Sequence, residues 1–233
     1  MQFKSILILS ALQAALSTAT VNGKKVNKPV EGWAKWESKG NLTGVGMGSY
    51  GEAVLENRCS YDIWAWSVDS VTGSTEAIQI PKRTTYREPV RKITLPDGNS
   101  AGVSVKISNT EMLQAKHHTQ FEYTIKNDRL WYDLSFVDCA LDKSSANCPG
   151  AEKGLKMDFS EKKCKIPYCP PGQYCPTQSY FVDTPVQKLG IPEPTFNCDD
   201  AGTSMNIYMH VCADEKPIKR SIAGRITMDE EQK

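Results

Sequence analysis

The stretch FEYTIKNDRLWYDLSFVDC, residues 121–139, decides the fold class of this chain. It contains two runs of β-branched and aromatic residues separated by the polar segment KNDR at 126–129, which is the pattern of a β-hairpin. If Asn127 and Asp128 are the two turn residues, Glu122 lies directly opposite Asp133 in the antiparallel ladder. A turn longer by one residue would keep the two acids apart, and the pattern leaves both registers open.

In the register with the two-residue turn, Glu122 and Asp133 share one face of the hairpin, and the large apolar side chains share the other. The apolar face is expected to pack inward and the two acids to point outward. Like charges opposed across a ladder are unfavourable by up to about 1 kcal/mol. Such a pair therefore indicates a nearby cation, a shared proton or a functional site.

Short runs of strand-forming residues continue on both sides of this hairpin, and residues typical of turns separate them. No long segment repeats its apolar residues with the 3.6-residue period of a helix. The pattern predicts an all-β sandwich of two sheets with little helix. The expected strands are 53–55, 62–68, 77–80, 84–93, 102–107, the hairpin at 121–136, 178–182 and 204–211.

Residues 1–19 carry a basic residue, Lys4, near their start. The apolar run 6–16 follows, and the small residues Ser17 and Ala19 lie at the end. This pattern predicts a secretory signal peptide. The apolar run is too short for a transmembrane helix. We therefore expect a secreted protein, extracellular or associated with the cell wall, with no membrane span.

Charge is balanced, with 28 Lys and Arg against 27 Asp and Glu over 233 residues, which argues against a nucleic-acid partner. One local basic stretch is either a solvated strand face or a patch for anionic polymers, and both interpretations remain open. It consists of Lys82, Arg83, Arg87, Arg91 and Lys92.

Eight cysteines, all between Cys59 and Cys212, predict up to four disulfides in an exported chain. The interval predicts one folded domain at 52–213, preceded by a polar, glycine-rich extension at 20–51 and followed by a disordered, charged tail at 214–233. No Cys-x-x-Cys pair occurs and only three histidines are present, so we expect no metal and no cofactor.

Two modification signals lie in the predicted extensions. Asn41-Leu42-Thr43 is an N-glycosylation sequon. Lys219-Arg220 is a dibasic pair, after which a kexin-type protease could cut; a tail that stays attached is the alternative.

Several segments of the chain resemble the thaumatin-like proteins, and specifically their small fungal branch related to yeast-phase-specific antigens. The matching segments follow one another in the order of the family. They are ENRCSYDIWA at 56–65, WYDLSFVD at 131–138, GLKMDFS at 154–160, SYFVDTP at 179–185, FNC at 196–198 and VC at 211–212.

The resemblance implies a disulfide-stapled, two-sheet β-sandwich with an acidic cleft made of one Arg, one Glu and three Asp. By motif, the acids are Glu122, Asp133, Asp138 and Asp183. The arginine has no secure counterpart, and Lys106 is the best substitute that the matching strand offers. Trp131 is the aromatic residue placed to stack on a sugar.

The family pattern also implies the disulfides Cys59–Cys212 and Cys164–Cys198. The four remaining cysteines pair most simply within their own loops, as Cys139–Cys148 and Cys169–Cys175.

The resemblance further implies β-1,3-glucan as the polymer recognised. We expect a monomer that binds cell-wall β-1,3-glucan or a related polysaccharide with little or no turnover. One alternative is a secreted effector or adhesin whose partner is a host surface protein. The other is a weak endo-β-1,3-glucanase, in which Glu122 and Asp133 would be the catalytic acids, since glycoside hydrolysis uses paired carboxyl groups.

Overall fold

The computed structural model describes residues 50–199 and 201–218. The predicted signal peptide 1–19, the sequon at Asn41 and the dibasic pair ending at Arg220 lie outside the described residues. No helix in the described part is long and apolar enough to cross a membrane.

The described part of the chain consists of strands connected mostly by turns. Its helical elements are a 3-10 turn, Ala151–Lys153, and the short helix α1, Pro185–Leu189. The strands in chain order are β1 (Glu52–Asn57), β2 (Ile63–Asp69), β3 (Gly73–Ser74), β4 (Ile78–Ile80), β5 (Thr85–Pro89), β6 (Ile93–Thr94), β7 (Ser100–Ala101), β8 (Val103–Ser108), β9 (Thr119–Lys126), β10 (Arg129–Ser135), β11 (Leu155–Phe159), β12 (Tyr168–Cys169), β13 (Phe196–Asn197) and β14 (Ile207–Val211).

Two sheets form a sandwich. One has five strands in the order β12-β11-β14-β1-β5. The other has seven strands in the order β13-β10-β9-β8-β2-β3, with β4 also paired to β2. β1 and β14 pair in parallel, so the first and last strands of the domain are neighbours. This architecture confirms the predicted two-sheet, all-β fold.

The core lies between the sheets and is built from the apolar residues that alternate along the strands. On β9, Phe121, Tyr123 and Ile125 are each at most 1% exposed. The ring of Tyr132 in β10 lies 4.2 Å, centroid to centroid, from that of Phe159 in β11. This contact joins the two sheets, so the apolar face of the 121–136 hairpin points inward as predicted.

The connection between β9 and β10 is a two-residue turn. Asn127 and Asp128 have φ angles of 51° and 55°, the left-handed values that such a hairpin turn requires and that Asn and Asp tolerate well. The resulting register places Glu122 opposite Asp133. Of the two registers that the sequence left open, this is the one that brings the acids together.

The expected strand at 178–182 does not form. The backbone amides of Gln178 and Ser179 both donate to the carbonyl of Cys175, so the chain turns tightly here. Tyr180 alone pairs with the end of β10, in an isolated bridge to Ser135. The sequence pattern predicted a strand at 178–182, but this segment forms a turn directly after the loop closed by Cys169–Cys175.

The structure contains four disulfides, and they are the four pairs expected from the sequence. Cys59–Cys212 closes a loop of 153 residues and joins the end of β1 to the end of β14, whereas Cys169–Cys175 closes a loop of six. The other two are Cys139–Cys148 and Cys164–Cys198.

The three arginines of the basic stretch make separate contacts. Arg91 lies 2.6 Å from Asp69 and Arg87 lies 2.8 Å from Glu52. Arg83 donates to the carbonyls of Lys216 and Pro217.

The first residues of the predicted tail 214–233 are bound to the domain. The hydroxyl of Tyr168 donates to Asp214 at 2.6 Å, and Lys153 lies 3.8 Å from Glu215. Arg83 also contacts Lys216 and Pro217, so residues 214–217 of the predicted tail are bound to the domain.

Glu56 is half buried and forms an ionic contact with the buried His210 on the outer face of the five-stranded sheet. Its Oε2 atom accepts a bond of 2.9 Å from Arg58 Nε and lies 3.0 Å from His210 Nδ1 on β14. The hydrogen bond from His210, aided by Arg58 and opposed by burial, lowers the pKa of Glu56 from 4.5 to about 2. The contact therefore stabilises the parallel pairing of β1 and β14.

Loss of the long disulfide should destabilise the domain more than loss of the short one. Replacing Cys59 and Cys212 together by Ala should lower the free energy of unfolding by up to about 5 kcal/mol, and the same change at Cys169 and Cys175 by about 2 kcal/mol, because the longer loop restricts the unfolded chain more. Denaturant unfolding without reductant measures both. Equal losses would contradict the assignment of Cys59–Cys212 as the main staple.

Glu56→Gln should destabilise the protein near neutral pH by on the order of 2 kcal/mol, because a lowered folded-state pKa contributes stability above the unfolded value. The difference from wild type should disappear as the pH falls from about 4.5 to about 2. Glu52→Gln on the same strand is the control, since Glu52 is half exposed and its ion pair should contribute little. A pH-independent difference between Glu56→Gln and wild type would contradict this.

Candidate functional site

The face of the seven-stranded sheet that points away from the core carries polar side chains on neighbouring strands. Ser104 of β8 lies opposite Glu122 of β9, which lies opposite Asp133 of β10. Two residues further along β8, Lys106 lies opposite Gln120. These five residues share one side of the sheet because side chains alternate along a strand, and we call this surface the polar face.

Glu122 and Asp133 form a hydrogen-bonded carboxyl pair at the centre of the polar face. Burial raises the pKa of Glu122, against the opposing charge of Lys106. Burial and the neighbouring charge of Glu122 raise the pKa of Asp133 well above its usual range. Two carboxyl groups in such contact share a proton.

Asp133 is buried and does not point into solvent as the sequence predicted. It is 4% exposed, and its Oδ1 atom has no hydrogen-bond partner among the residues that the structure describes. The reason is that β10 is not an edge strand: β13 pairs with it, and the backbone of Tyr180 bonds to Leu134 and Phe136. Of the two acids in the pair, Glu122 is the one that is partly exposed.

Asp138 belongs to a network on the other side of the pair. Its Oδ2 atom lies 3.0 Å from His118 Nε2, 3.8 Å from Lys106 Nζ and 2.9 Å from Gln120 Nε2, which donates to it. The hydrogen bond from His118, together with the charge of Lys106, lowers the pKa of Asp138 against the effect of burial. Lys106 therefore lies between Asp138 and the Glu122 carboxyl, the position of a cation that the resemblance implied.

Asp183 lies in a different environment from the other three acids. Its side chain is 61% exposed and pairs with Lys188 of α1, whose contact lowers the pKa of Asp183. After Glu122, the carboxyl group whose charge raises the pKa of Asp133 is that of Glu193. The structure therefore brings Glu122, Asp133 and Asp138 together with Lys106, and the charge of Glu193 acts on this group through Asp133.

Trp131 is half buried and lies on the same side of β10 as Asp133. It pairs with Thr124 of β9 and with Asn197 of β13. An aromatic ring thus borders the acid pair on the turn side of the hairpin.

The alternation of β9 could have identified two further residues of this surface. His118 and Gln120 precede Glu122 in steps of two, so all three point to the same side, although His118 is only 5% exposed. No comparable pattern identifies Glu193, which follows a turn-rich segment more than 50 residues after β10.

Among the described residues, one group of three potential metal ligands lies close together, and it consists of Cys59, Glu152 and Cys212. The two cysteines form a disulfide, so their sulfur atoms are not thiolate ligands. The acids of the polar face do not form such a group.

A family model described as Blastomyces yeast-phase-specific protein, Bys1, matches residues 43–213. The chain belongs to this family. Relatives named thaumatin-like confirm the wider resemblance. An antigenic thaumatin-like protein of Arthroderma benhamiae is 29% identical over 125 residues, which are 54% of this chain and 56% of that protein. The chain thus matches little more than half the length of this relative.

A further relative agrees with the family, and a solved structure agrees with the fold. The secreted thaumatin-like protein calA of Emericella nidulans is 28% identical over 130 residues, 56% of this chain and 68% of that protein. Among solved structures, the protein elicitor MoHrip2 of Magnaporthe oryzae aligns with a TM-score of 0.52 and 18% identity, over 70% of this chain and 99% of that one. At this identity the likeness concerns the fold alone.

Asp133→Asn should make the protein more stable near neutral pH. A carboxyl group whose pKa is raised by folding costs stability once the pH exceeds its unfolded value, because the unfolded chain ionises first. The amide removes that cost and still donates a hydrogen bond to Glu122. The gain in the denaturation midpoint should disappear below about pH 4.

Asp158→Asn is the matched control of opposite sign. Burial opposes ionisation of Asp158, but the hydrogen bonds from Lys156 and from the backbone amide of Phe159, together with the charge of Lys156, outweigh burial and lower the pKa. This variant should be less stable than wild type at neutral pH. If Asp133→Asn were also less stable than wild type at neutral pH, that result would contradict the hypothesis that Glu122 and Asp133 share a proton.

Proposed function

We propose that this protein is secreted and binds a cell-wall polysaccharide, with β-1,3-glucan as the first candidate, on the polar face, with little or no hydrolysis. The single observation that carries the proposal is the partly exposed carboxyl group of Glu122, hydrogen-bonded to the buried Asp133, at the centre of a polar surface bordered by Trp131. A carboxyl oxygen that reaches the surface can accept charge-assisted hydrogen bonds from the hydroxyl groups of a ligand.

The chemistry of the polar face suits a sugar. Glu122 offers acceptors for hydroxyl groups, while Lys106, in the next row of the sheet, carries a donor, and both residues are partly exposed. The ring of Trp131 provides an apolar surface for the C–H face of a pyranose. Binding sites for small polar ligands combine these two kinds of contact.

The arrangement of the acid pair favours binding over turnover. Retaining glycosidases hold their two carboxyl groups about 5 Å apart, and inverting ones about 6.5–9.5 Å apart, because a sugar carbon or a water must lie between them. Here the two groups hydrogen-bond to each other, and Asp133 is 4% exposed. Neither a glycosidic oxygen nor a water has room between them in this arrangement.

Three findings support the choice of ligand and location. The family resemblance implies β-1,3-glucan, the chain has the pattern of a signal peptide, and the Emericella relative is named a secreted protein. Four disulfides are also typical of exported domains.

Glu122→Gln should weaken binding to insoluble β-1,3-glucan about tenfold while the protein stays folded, because the charge-assisted hydrogen bonds to sugar hydroxyls are lost. Glu52→Gln makes the same charge change on the other sheet and should bind like wild type. Depletion of protein from solution measures binding, and reducing-sugar release should stay at background for all three proteins.

The same binding assay tests the role of Trp131. If the ring stacks on sugar, Trp131→Ala should bind glucan more weakly than wild type, and Trp131→Phe should bind more tightly than Trp131→Ala. Parallel assays on chitin, cellulose and xylan identify the polymer. Binding of wild type to none of them would contradict the proposal and favour a secreted effector or adhesin that binds a host surface protein.

A further inference from the structure

Two segments border β10 beside Asp133. The backbone amide of Tyr180 donates to Leu134 at 2.8 Å, and that of Phe136 donates to Tyr180 at 2.7 Å. On the same side of β10, β13 pairs Asn197 with Trp131. Both segments therefore pass the strand where Asp133 lies.

The side chains of these segments form a hydrogen-bonded group next to the acid pair. The hydroxyl of Tyr180 lies 2.7 Å from Thr195 Oγ1, and Tyr180 also hydrogen-bonds to the carboxylate of Glu193. Glu193 is half buried and close enough for its charge to act on Asp133. A hydrogen bond from Tyr180 thus holds a carboxylate at the border of the polar face, next to the buried acceptor without a partner.

We propose that Glu193, held by Tyr180, is a further ligand-binding residue of the polar face and selects neutral over anionic polysaccharides. The inference rests on the proposed function. The half-buried carboxylate of Glu193 presents only acceptors on this side of the acid pair, so a sugar unit that carries hydroxyl donors is bound. The carboxylate of a uronic acid would add a like charge and is repelled.

Asp183, which the resemblance placed in the cleft, provides the matched comparison. It is an exposed acid in the same part of the chain and pairs with Lys188. Glu193 is instead half buried and bonded to a side chain beside β10. Glu193→Gln and Asp183→Asn therefore make the same charge change at a site residue and at a surface residue.

Titration calorimetry with laminarin, a soluble neutral β-1,3-glucan, and with polygalacturonate, an anionic polymer, tests the proposal. Glu193→Gln should bind laminarin roughly three- to tenfold more weakly and polygalacturonate more tightly than wild type does. Asp183→Asn should match wild type with both polymers. A structural role of Glu193 would not change the affinities for the two polymers in opposite directions.

The outcomes separate this inference from the function on which it rests. Weaker binding by Glu122→Gln but wild-type behaviour of Glu193→Gln overturns the role of Glu193 and leaves the proposed function standing. Wild-type binding by both variants overturns the proposed function itself, and a larger loss for Asp183→Asn assigns the role to Asp183. If Glu193→Gln does not fold, Tyr180→Phe, which removes the bond that holds Glu193, should give a smaller change in the same direction; no change overturns the proposal.

Discussion

The register of the hairpin formed by β9 and β10 is the constraint on which the rest of the structure depends. It is fixed by a turn of two residues, Asn127 and Asp128, with φ angles of 51° and 55°. A slip of one residue would exchange the two faces of a strand. Tyr132 would then leave the core, where it packs 4.2 Å from Phe159, and Asp133 would enter it. A local turn thus determines both the contact between the sheets and the position of the acid pair.

The acid pair is tolerated because its two sides differ in charge. On the β8 side, Lys106 lies 3.8 Å from Asp138, and its charge opposes the rise that burial causes in the pKa of Glu122. On the β13 side, the charge of Glu193 has the same sign as that of the pair and contributes to the raised pKa of Asp133. The pair therefore holds one proton, and Lys106 offsets part of the negative charge that remains.

Local patterns allowed the sheets, the hairpin and the family to be predicted, because alternation and turn chemistry act over a few residues. The hairpin pattern also paired Glu122 with Asp133, whereas Asp138 and Lys106 were implied by the family resemblance. Burial of Asp133 could not be predicted, since it depends on β13 and on the segment of Tyr180, which reach β10 from 45 or more positions away. The absent strand at 178–182 has the same origin: the turn after the Cys169–Cys175 loop replaced it.

Lysine in place of arginine changes what the polar face can bind. A guanidinium can hold two carboxylates in a planar, bidentate contact, whereas an ammonium is a compact charge whose pKa falls readily on burial. Burial lowers the pKa of Lys106 here, against the charges of Asp138 and Glu122. Its Nζ atom also lies 3.0 Å from His118 Nε2. The ammonium group of Lys106 therefore interacts with one histidine and with the charges of Asp138 and Glu122. The face therefore has a partly buried cation on one side and an acceptor-rich border on the other, and we propose that this asymmetry orients the proposed sugar ligand across the acid pair.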